Sequence, residues 1–238
     1  MAVLDSTNGW AKTHIRNLSH GDVVSTFDQR IGRGRQNRSW ISMPGRSLSL
    51  SVVLKTEEVC APGPMLGLAA AVAVADVLHS IASIAAVLKW PNDVCVGDRK
   101  IAGILSESIP RHNGIVVGIG LNVNLSPGDL DTLGIADVAT SISTEARRNF
   151  KLVEVETTLL AALEKTWDTL VAHGPDLILK RWSCVDALTS CRIELDAAGK
   201  SIRGFYTGLD SHGRLRLKTD DGTEHLFWSG DVRKVRVN

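Results

Sequence analysis

An α+β fold is what these 238 residues predict: a mixed or antiparallel β-sheet packed against helices on one face, with a small C-terminal β-barrel. Three observations carry that prediction. Between Ala86 and Val123, short β-type runs are broken by turn residues at hairpin spacing. Two long stretches, Met65–Val87 and Lys151–His173, hold apolar residues at helical spacing. After Cys191 the texture becomes all strand and glycine turn. With 44% hydrophobic and 22% charged residues, the chain has an ordinary globular composition and can bury a sizeable core. A formal net charge of +1 argues against a surface built to wrap nucleic acid, so any anion binding has to be local.

Taken in order, Val23–Phe27 reads as a strand leading into an arginine-rich loop. Leu48, Leu50 and Val52 alternate with serines in Ser47–Leu54, the pattern of a half-buried strand. Met65–Val87 is long enough to span a bilayer, yet Asp76 and His79 fall in its middle, where charge is costly in lipid. Helical spacing gathers those two with Ser83 and leaves Leu68, Val72 and Ala75 on an apolar face, so a core helix is expected and no membrane segment. Strands follow at Ala86–Trp90, Val94–Val96, Ile101–Ile109 and Ile115–Val123, and Ser126–Ala139 reads as a loop. Leu152, Val155, Leu159, Leu163, Trp167 and Leu170 form the core stripe of a helix ended by Gly174-Pro175, and a second helix runs from Pro175 to about Val185. Strands Arg192–Leu195, Ile202–Leu209, Arg214–Lys218, His225–Trp228 and Val232–Val237, with glycine turns such as Ala198-Gly199, make the closed or nearly closed barrel. A boundary between Asp186 and Cys191 divides residues 1–187 from 188–238. Cys60, Cys95, Cys184 and Cys191 show neither a CxxC pair nor metal-like spacing with histidine; they read as small buried hydrophobes of a reducing, cytoplasmic compartment. No metal ligand set is assigned, and no basic-then-apolar leader is visible at the N-terminus.

Chemistry concentrates in a few motifs. In Ile31–Trp40, Arg33, Arg35 and Arg38 sit on a backbone loosened by Gly32 and Gly34. Arginine forks match carboxylate and phosphate oxygens, and the glycines allow a loop to close over such an anion; in isolation the segment also reads as a solvated basic turn. Asp5-Ser6-Thr7-Asn8 suits either hydrogen bonding to a neutral polar ligand or capping of a helix. Lys89-Trp90-Pro91-Asn92-Asp93 sets an amide and a carboxylate on a proline turn. Lys100 enters the apolar strand Ile101–Leu105, where it needs an anionic partner or a displaced pKa, unless its stem packs and its amine reaches water. Gly118 and Gly120, spaced by two, leave bare backbone on one sheet face for a flat ligand or a second backbone.

Together, Ser-Thr-Asn, Gly-Arg-Gly-Arg-x-x-Arg-x-Trp, Lys-Trp-Pro-Asn-Asp, Lys-Ile-Ala-Gly-Ile and Gly-Ile-Gly-Leu-Asn-Val resemble, in order, the signatures of biotin–protein ligases. With the C-terminal barrel, the resemblance covers nearly the whole chain. It implies the class II synthetase-like catalytic fold and a two-step reaction: biotin and ATP give biotinyl-5′-AMP and pyrophosphate, and biotin then passes to one lysine of a biotin carboxyl carrier domain of an acyl-CoA carboxylase. By that resemblance Lys100, Arg33, Arg35 and Asp93 are catalytic. Ser6, Thr7, Gln29, Gly32, Gly103, Gly118 and Gly120, with Arg33 and Lys100, hold biotin. Arg35, Arg38, Trp40, Asn92 and Asn122 hold the nucleotide, and Mg2+ accompanies the triphosphate.

Two features depart from the family pattern. Gln36-Asn37 stands where many members have Arg-Gly, which removes a glycine and stiffens the loop. The chain also starts only four residues before Asp5, where relatives have at least one strand. That start leaves Met1–Leu4 too short for the helix-turn-helix of bifunctional members, so DNA binding is not expected. A monomer or weak homodimer is expected, and lipoate–protein ligases and octanoyltransferases are the enzyme rivals.

Overall fold

Side-chain alternation along three central strands organises the molecule. The computed structural model describes residues 3–59, 63–197 and 199–235, so Cys60, Ala198 of the first predicted C-terminal turn and Val237 lie outside the described residues. Helix α1 (Thr7–Thr13) is capped by Ser6, whose hydroxyl accepts from Gly9 N at 3.2 Å. Strand β1 (Val23–Thr26) leads to a hairpin of β2 (Gly32–Arg33) and β3 (Ser39–Trp40), joined by a 3-10 turn over Arg35–Asn37, and then to β4 (Ser47–Lys55). The short helix α2 (Thr56–Val59) precedes the long α3 (Gly63–Ala82). Next come β5 (Val87–Lys89), β6 (Asp93–Val96), β7 (Arg99–Ile109) and β8 (Gly114–Asn122). Helices α4 (Pro127–Thr132), α5 (Ile142–Ala146), α6 (Leu152–His173) and α7 (Asp176–Cys184) follow. The C-terminal strands are β9 (Arg192–Ala197), β10 (Lys200–Leu209), β11 (Leu215–Lys218), β12 (Glu224–Phe227) and β13 (Asp231–Lys234).

The larger sheet has the order β1-β4-β8-β7-β6-β5. Its named strands pair antiparallel, parallel bridges at Leu88–Asp186 and Lys100–Ala139 tie further segments to it, and another joins Leu4 to Gln29. Leu48, Leu50 and Val52 of β4, Ala102 and Ile104 of β7, and Val117, Ile119 and Leu121 of β8 share one core cluster with α3. That helix is buried along most of its length, from Met65 and Leu66 to Val77 and Leu78, with α6 and α7 behind it. It alone, among the described residues, is long and apolar enough to cross a membrane, and it is the core of the protein instead. The indole of Trp167 on α6 donates to Leu66 O at 3.2 Å, joining the two helices.

Four expectations need correction. Helices do not cover one face alone: α1 packs on the opposite face, where Ala11 and Ile15 bury Val24, Val53 and Val116. For that reason β4 is buried on both faces, and its serines point into protein rather than water. Ser126–Ala139 is not all loop, because Ser126 and Asp129 form a capping box that starts α4. The C-terminal unit is an open five-stranded sheet, order β12-β11-β10-β9-β13, and not a closed barrel. Its edge strands β12 and β13 are four residues each, and its apolar face closes on the larger unit instead of on itself. Ile193, Leu195, Tyr206, Leu215, Leu217 and Val232 belong to the same core cluster as α3. Trp90, buried, donates from its indole to Gly213 O at 3.1 Å across that junction.

The cysteines also diverge from the expected uniform burial. Cys95 is buried and Cys191 half-buried, but Cys184 at the end of α7 is exposed. Burial, reinforced by the nearby Asp93 charge, pushes the Cys95 thiol up to about 11. A thiol so raised holds its proton in the folded state while the unfolded chain loses it, so its contribution to stability is complete below about pH 9 and declines from there toward pH 11. Iodoacetamide at pH 8 is expected to alkylate Cys184 of the folded protein and to reach Cys95 only on unfolding, read by peptide mass spectrometry. In the core, Leu50→Ala is expected to cost about 2–5 kcal/mol in a urea titration, because Leu50 is fully buried between β4 and α3.

Candidate functional site

On the α1 side of the sheet, the same alternation that makes the core turns its other residues into a site floor. Gly103 of β7 pairs directly with Gly120 of β8, and Ser51 of β4 pairs with Gly118. Two facing glycines leave flat bare backbone, and the indole of Trp40 lies on it: a Cβ on Gly120 would collide with the ring, and one on Gly103 would sit 3.2 Å from Trp40 Cζ3 and 2.9 Å from Lys100 Cε. A Cβ on Gly118 would collide with the Asn8 amide. Side chains of this chain, Trp40 and Asn8, therefore lie on the glycine floor. Above it opens a cleft of about 360 Å3, within the range of small-molecule sites.

One end of the cleft is neutral and polar. Thr7 N donates to Gln29 Oε1 at 2.9 Å, which turns the Gln29 amide nitrogen away from Thr7. Ser51 Oγ lies 2.7 Å from Thr7 Oγ1 and 2.5 Å from Asn8 Oδ1. Ser6, Thr7 and Asn8 are all buried, so the first motif both caps α1 and lines the cleft.

The other end is cationic. The Ile31–Trp40 segment is the ordered β2–β3 hairpin, closed by Gly34 N donating to Arg38 O at 2.7 Å. Gln36 and Asn37, at φ 53° and 59°, take left-handed backbone that a glycine adopts without cost. Arg38 forms an ion pair with Asp231 of β13. Arg35 donates to Asn92 Oδ1 at 3.3 Å and to Gly230 O at 3.4 Å; burial lowers its pKa, opposed by the charges of Asp231 and Asp93. The anionic partner that Lys100 required is Asp93, with which it forms an ion pair, and Lys100 Nζ stands 5.6 Å from the Trp40 ring centroid. Asn92 is held by its side-chain amide donating to Ile104 O at 3.1 Å.

Ser6, Thr7, Gln29, Arg33, Arg35, Arg38, Trp40, Asn92, Asp93, Lys100, Gly103, Gly118 and Gly120 thus come together around one cleft from distant parts of the chain. Gly32 and Asn122 do not line it. Gly32 is buried within the hairpin, opposite Trp40, where a Cβ would collide with Trp40 O. Asn122 lies at the far end of β8, its amide donating to Thr140 O at 3.0 Å and its Oδ1 buried without a partner among the described residues. Asn8 of the first motif lines the cleft too, and sequence reasoning missed Ser49, Gly230 and Asp231 as lining residues. The serines of β4 were a readable signal, since polar residues alternating with leucine mark whichever face meets a polar site. Asp231 carried none, being 193 residues from Arg38.

Asp231→Ala is expected to speed tryptic cleavage after Arg35 and Arg38 several-fold by freeing the hairpin. Because the Arg38 side chain is 64% exposed, the same change is expected to cost less than about 1 kcal/mol in global stability.

Comparisons with known proteins address the family and the fold. Residues 1–124 match the model of the biotin/lipoate A/B protein ligase family, and residues 190–235 match that of the biotin protein ligase C-terminal domain. The bifunctional ligase/repressor BirA of Bacillus subtilis is 31% identical over 219 residues, covering 91% of this chain and 67% of its own. Biotin–[acetyl-CoA-carboxylase] ligase of Paracoccus denitrificans is 30% identical over 230 residues, covering 94% and 95%. Among solved structures, biotin protein ligase from Aquifex aeolicus in complex with biotin and ATP superposes with a TM-score of 0.86 at 26% identity, over 100% of this chain and 98% of that one.

Proposed function

The chain belongs to the biotin/lipoate A/B protein ligase family, and from that premise we propose that it is an ATP-dependent biotin–protein ligase. The observation that carries the reading is a single cleft with a neutral hydrogen-bonding end and a cationic end, joined by the flat Gly103–Gly120 floor. Biotin's neutral ureido ring fits the Thr7–Gln29 end, and its carboxylate then faces Lys100.

In the first half-reaction a carboxylate oxygen of biotin attacks the α-phosphorus of ATP, the bond to the β-phosphate bridging oxygen breaks, and pyrophosphate leaves. Two anions must meet, and the charge growing on the phosphorus oxygens needs fixed cations. Lys100 lies between the two ends of the cleft, and Arg33, Arg35 and Arg38 surround the nucleotide side. Mg2+ would come bound mainly through the phosphates and would neutralise charge on the triphosphate; the Asn92 and Asp93 oxygens of the proline turn would face it. Trp40 and its hairpin exclude water from the mixed anhydride. In the second half-reaction the neutral acceptor lysine amine attacks the biotinyl carbonyl carbon and AMP leaves; Asp93 orients the amine.

A match to the biotin protein ligase C-terminal domain favours biotin over lipoate or octanoate as the acyl group. The carrier is a biotin carboxyl carrier domain of an acyl-CoA carboxylase, and the enzyme works in the cytoplasm as a monomer or weak homodimer. The division into a catalytic unit, residues 1–187, and a C-terminal unit, residues 188–238, is supported by the change from mixed α and β elements to β alone.

Biotin-dependent exchange of labelled pyrophosphate into ATP tests the reading. Wild type is expected to exchange with biotin and not with lipoate, and Lys100→Ala is expected to lose a factor of hundreds, about 3–4 kcal/mol. Exchange with lipoate alone, or none with either acid, overturns it.

A further inference from the structure

Glu107 sits on β7 two residues beyond Leu105, outside the cleft lining, yet it is wired to the neutral end. We propose that Glu107 is a positioning residue that sets the hydrogen-bond polarity of that end, so that Thr7 presents an acceptor and not a donor to the ligand ring. The inference rests on the biotin reading above.

Donor and acceptor counting gives the direction of each bond. Asn8 Nδ2 donates to Glu107 Oε2 at 2.9 Å and to Leu105 O at 3.1 Å, and a carboxylate and a carbonyl can only accept. Both amide protons are therefore committed, and the Asn8 amide has one orientation. Its Oδ1 must accept, and Ser51 Oγ, 2.5 Å away, carries a single proton that goes there. The 2.7 Å contact between Ser51 and Thr7 is then filled by the proton of Thr7, in preference to the longer 3.3 Å contact with Gln29 Oε1. With its proton spent, Thr7 Oγ1 turns a lone pair to the cleft. Gln29 Oε1 is occupied by Thr7 N, so Gln29 offers Nε2 as a donor. An acceptor beside a donor is what a ureido N–H and C=O require. At the end of this chain Lys12 Nζ forms an ion pair with Glu107 Oε1 at 2.5 Å. Gly118 completes the arrangement, since a side chain there would displace the Asn8 amide.

A neutral amide at position 107 has one acceptor atom, for which Lys12 and Asn8 compete. In Glu107→Gln the charged Lys12 takes the oxygen, and the new NH2 faces Asn8. Asn8 has to flip, Ser51 and Thr7 reverse, and Thr7 meets the ring with a donor against a donor. Lys12→Met, Glu107→Gln together leave the glutamine oxygen free for Asn8 and restore the original direction.

The experiment is calorimetric titration of biotin without ATP, with KM values for biotin and ATP from pyrophosphate exchange, on wild type, Glu107→Gln, Lys12→Met and the double variant, each checked for folding by thermal melting. Glu107→Gln is expected to weaken biotin about ten- to a hundredfold with the KM for ATP unchanged. Lys12→Met alone is expected to change biotin affinity less than about threefold, and the double variant to recover to within about fivefold of wild type. A merely structural ion pair predicts the reverse ranking, with the double variant no better than Glu107→Gln. Biotin affinity unaltered in Glu107→Gln, or a double variant as weak as the single, overturns the relay while leaving the ligase reading intact. Wild type that binds no biotin overturns both.

Discussion

Period-two alternation in strands buried on both faces is the constraint from which the rest of the structure follows. On β4, β7 and β8, one set of side chains is mainly aliphatic, from Leu48 and Leu50 to Ala102, Ile104 and Ile119, and closes on α3, while the set between them includes Ser49, Gly103, Gly118 and Gly120 where the cleft lies. Antiparallel register places Gly103 opposite Gly120 and Ser51 opposite Gly118. A slip of one residue would send the glycines into the core and the leucines into the site. Core packing against α3 therefore also fixes the floor on which Trp40 lies.

Electrostatics at the cationic end rest on that scaffold. Three of its cations already have partners: Lys100 has Asp93, Arg38 has Asp231, and Arg35 has Asn92 and the Gly230 carbonyl. Partners of this kind hold partly desolvated cations in place before any phosphate arrives, so little reorganisation accompanies the charge that develops in the reaction. Left-handed Gln36 and Asn37 belong to the same design. Non-glycine residues in that region cost about 1–2 kcal/mol each, and they persist because the hairpin ladder and the Asp231 contact determine the turn.

The C-terminal sheet shows how an apolar face can be satisfied in a second way. Five short strands with glycine turns predict closure into a barrel, because an isolated small sheet has to hide its own edges and inner face. Here the inner face joins the core beneath β7 and α3, and the start of β13 meets the arginine hairpin, so closure is unnecessary. Asp231 reaches the cleft by that route.

What the sequence by itself determined is the local code. It contained the strand and helix periodicities, the helix stop at Gly174, the buried nature of α3, and the motifs around Ser6, Arg33, Asn92, Lys100 and Gly118, each set by spacing within a few residues. Only the tertiary structure decided which face of β4 is polar by purpose, that Trp40 covers Gly120, that Asn122 falls outside the cleft, and that Asp231 and Glu107 act on it. The reason is physical. A side chain's period along a strand follows from backbone geometry alone, but its partner depends on which strand, 50 or 190 residues away, the core places beside it.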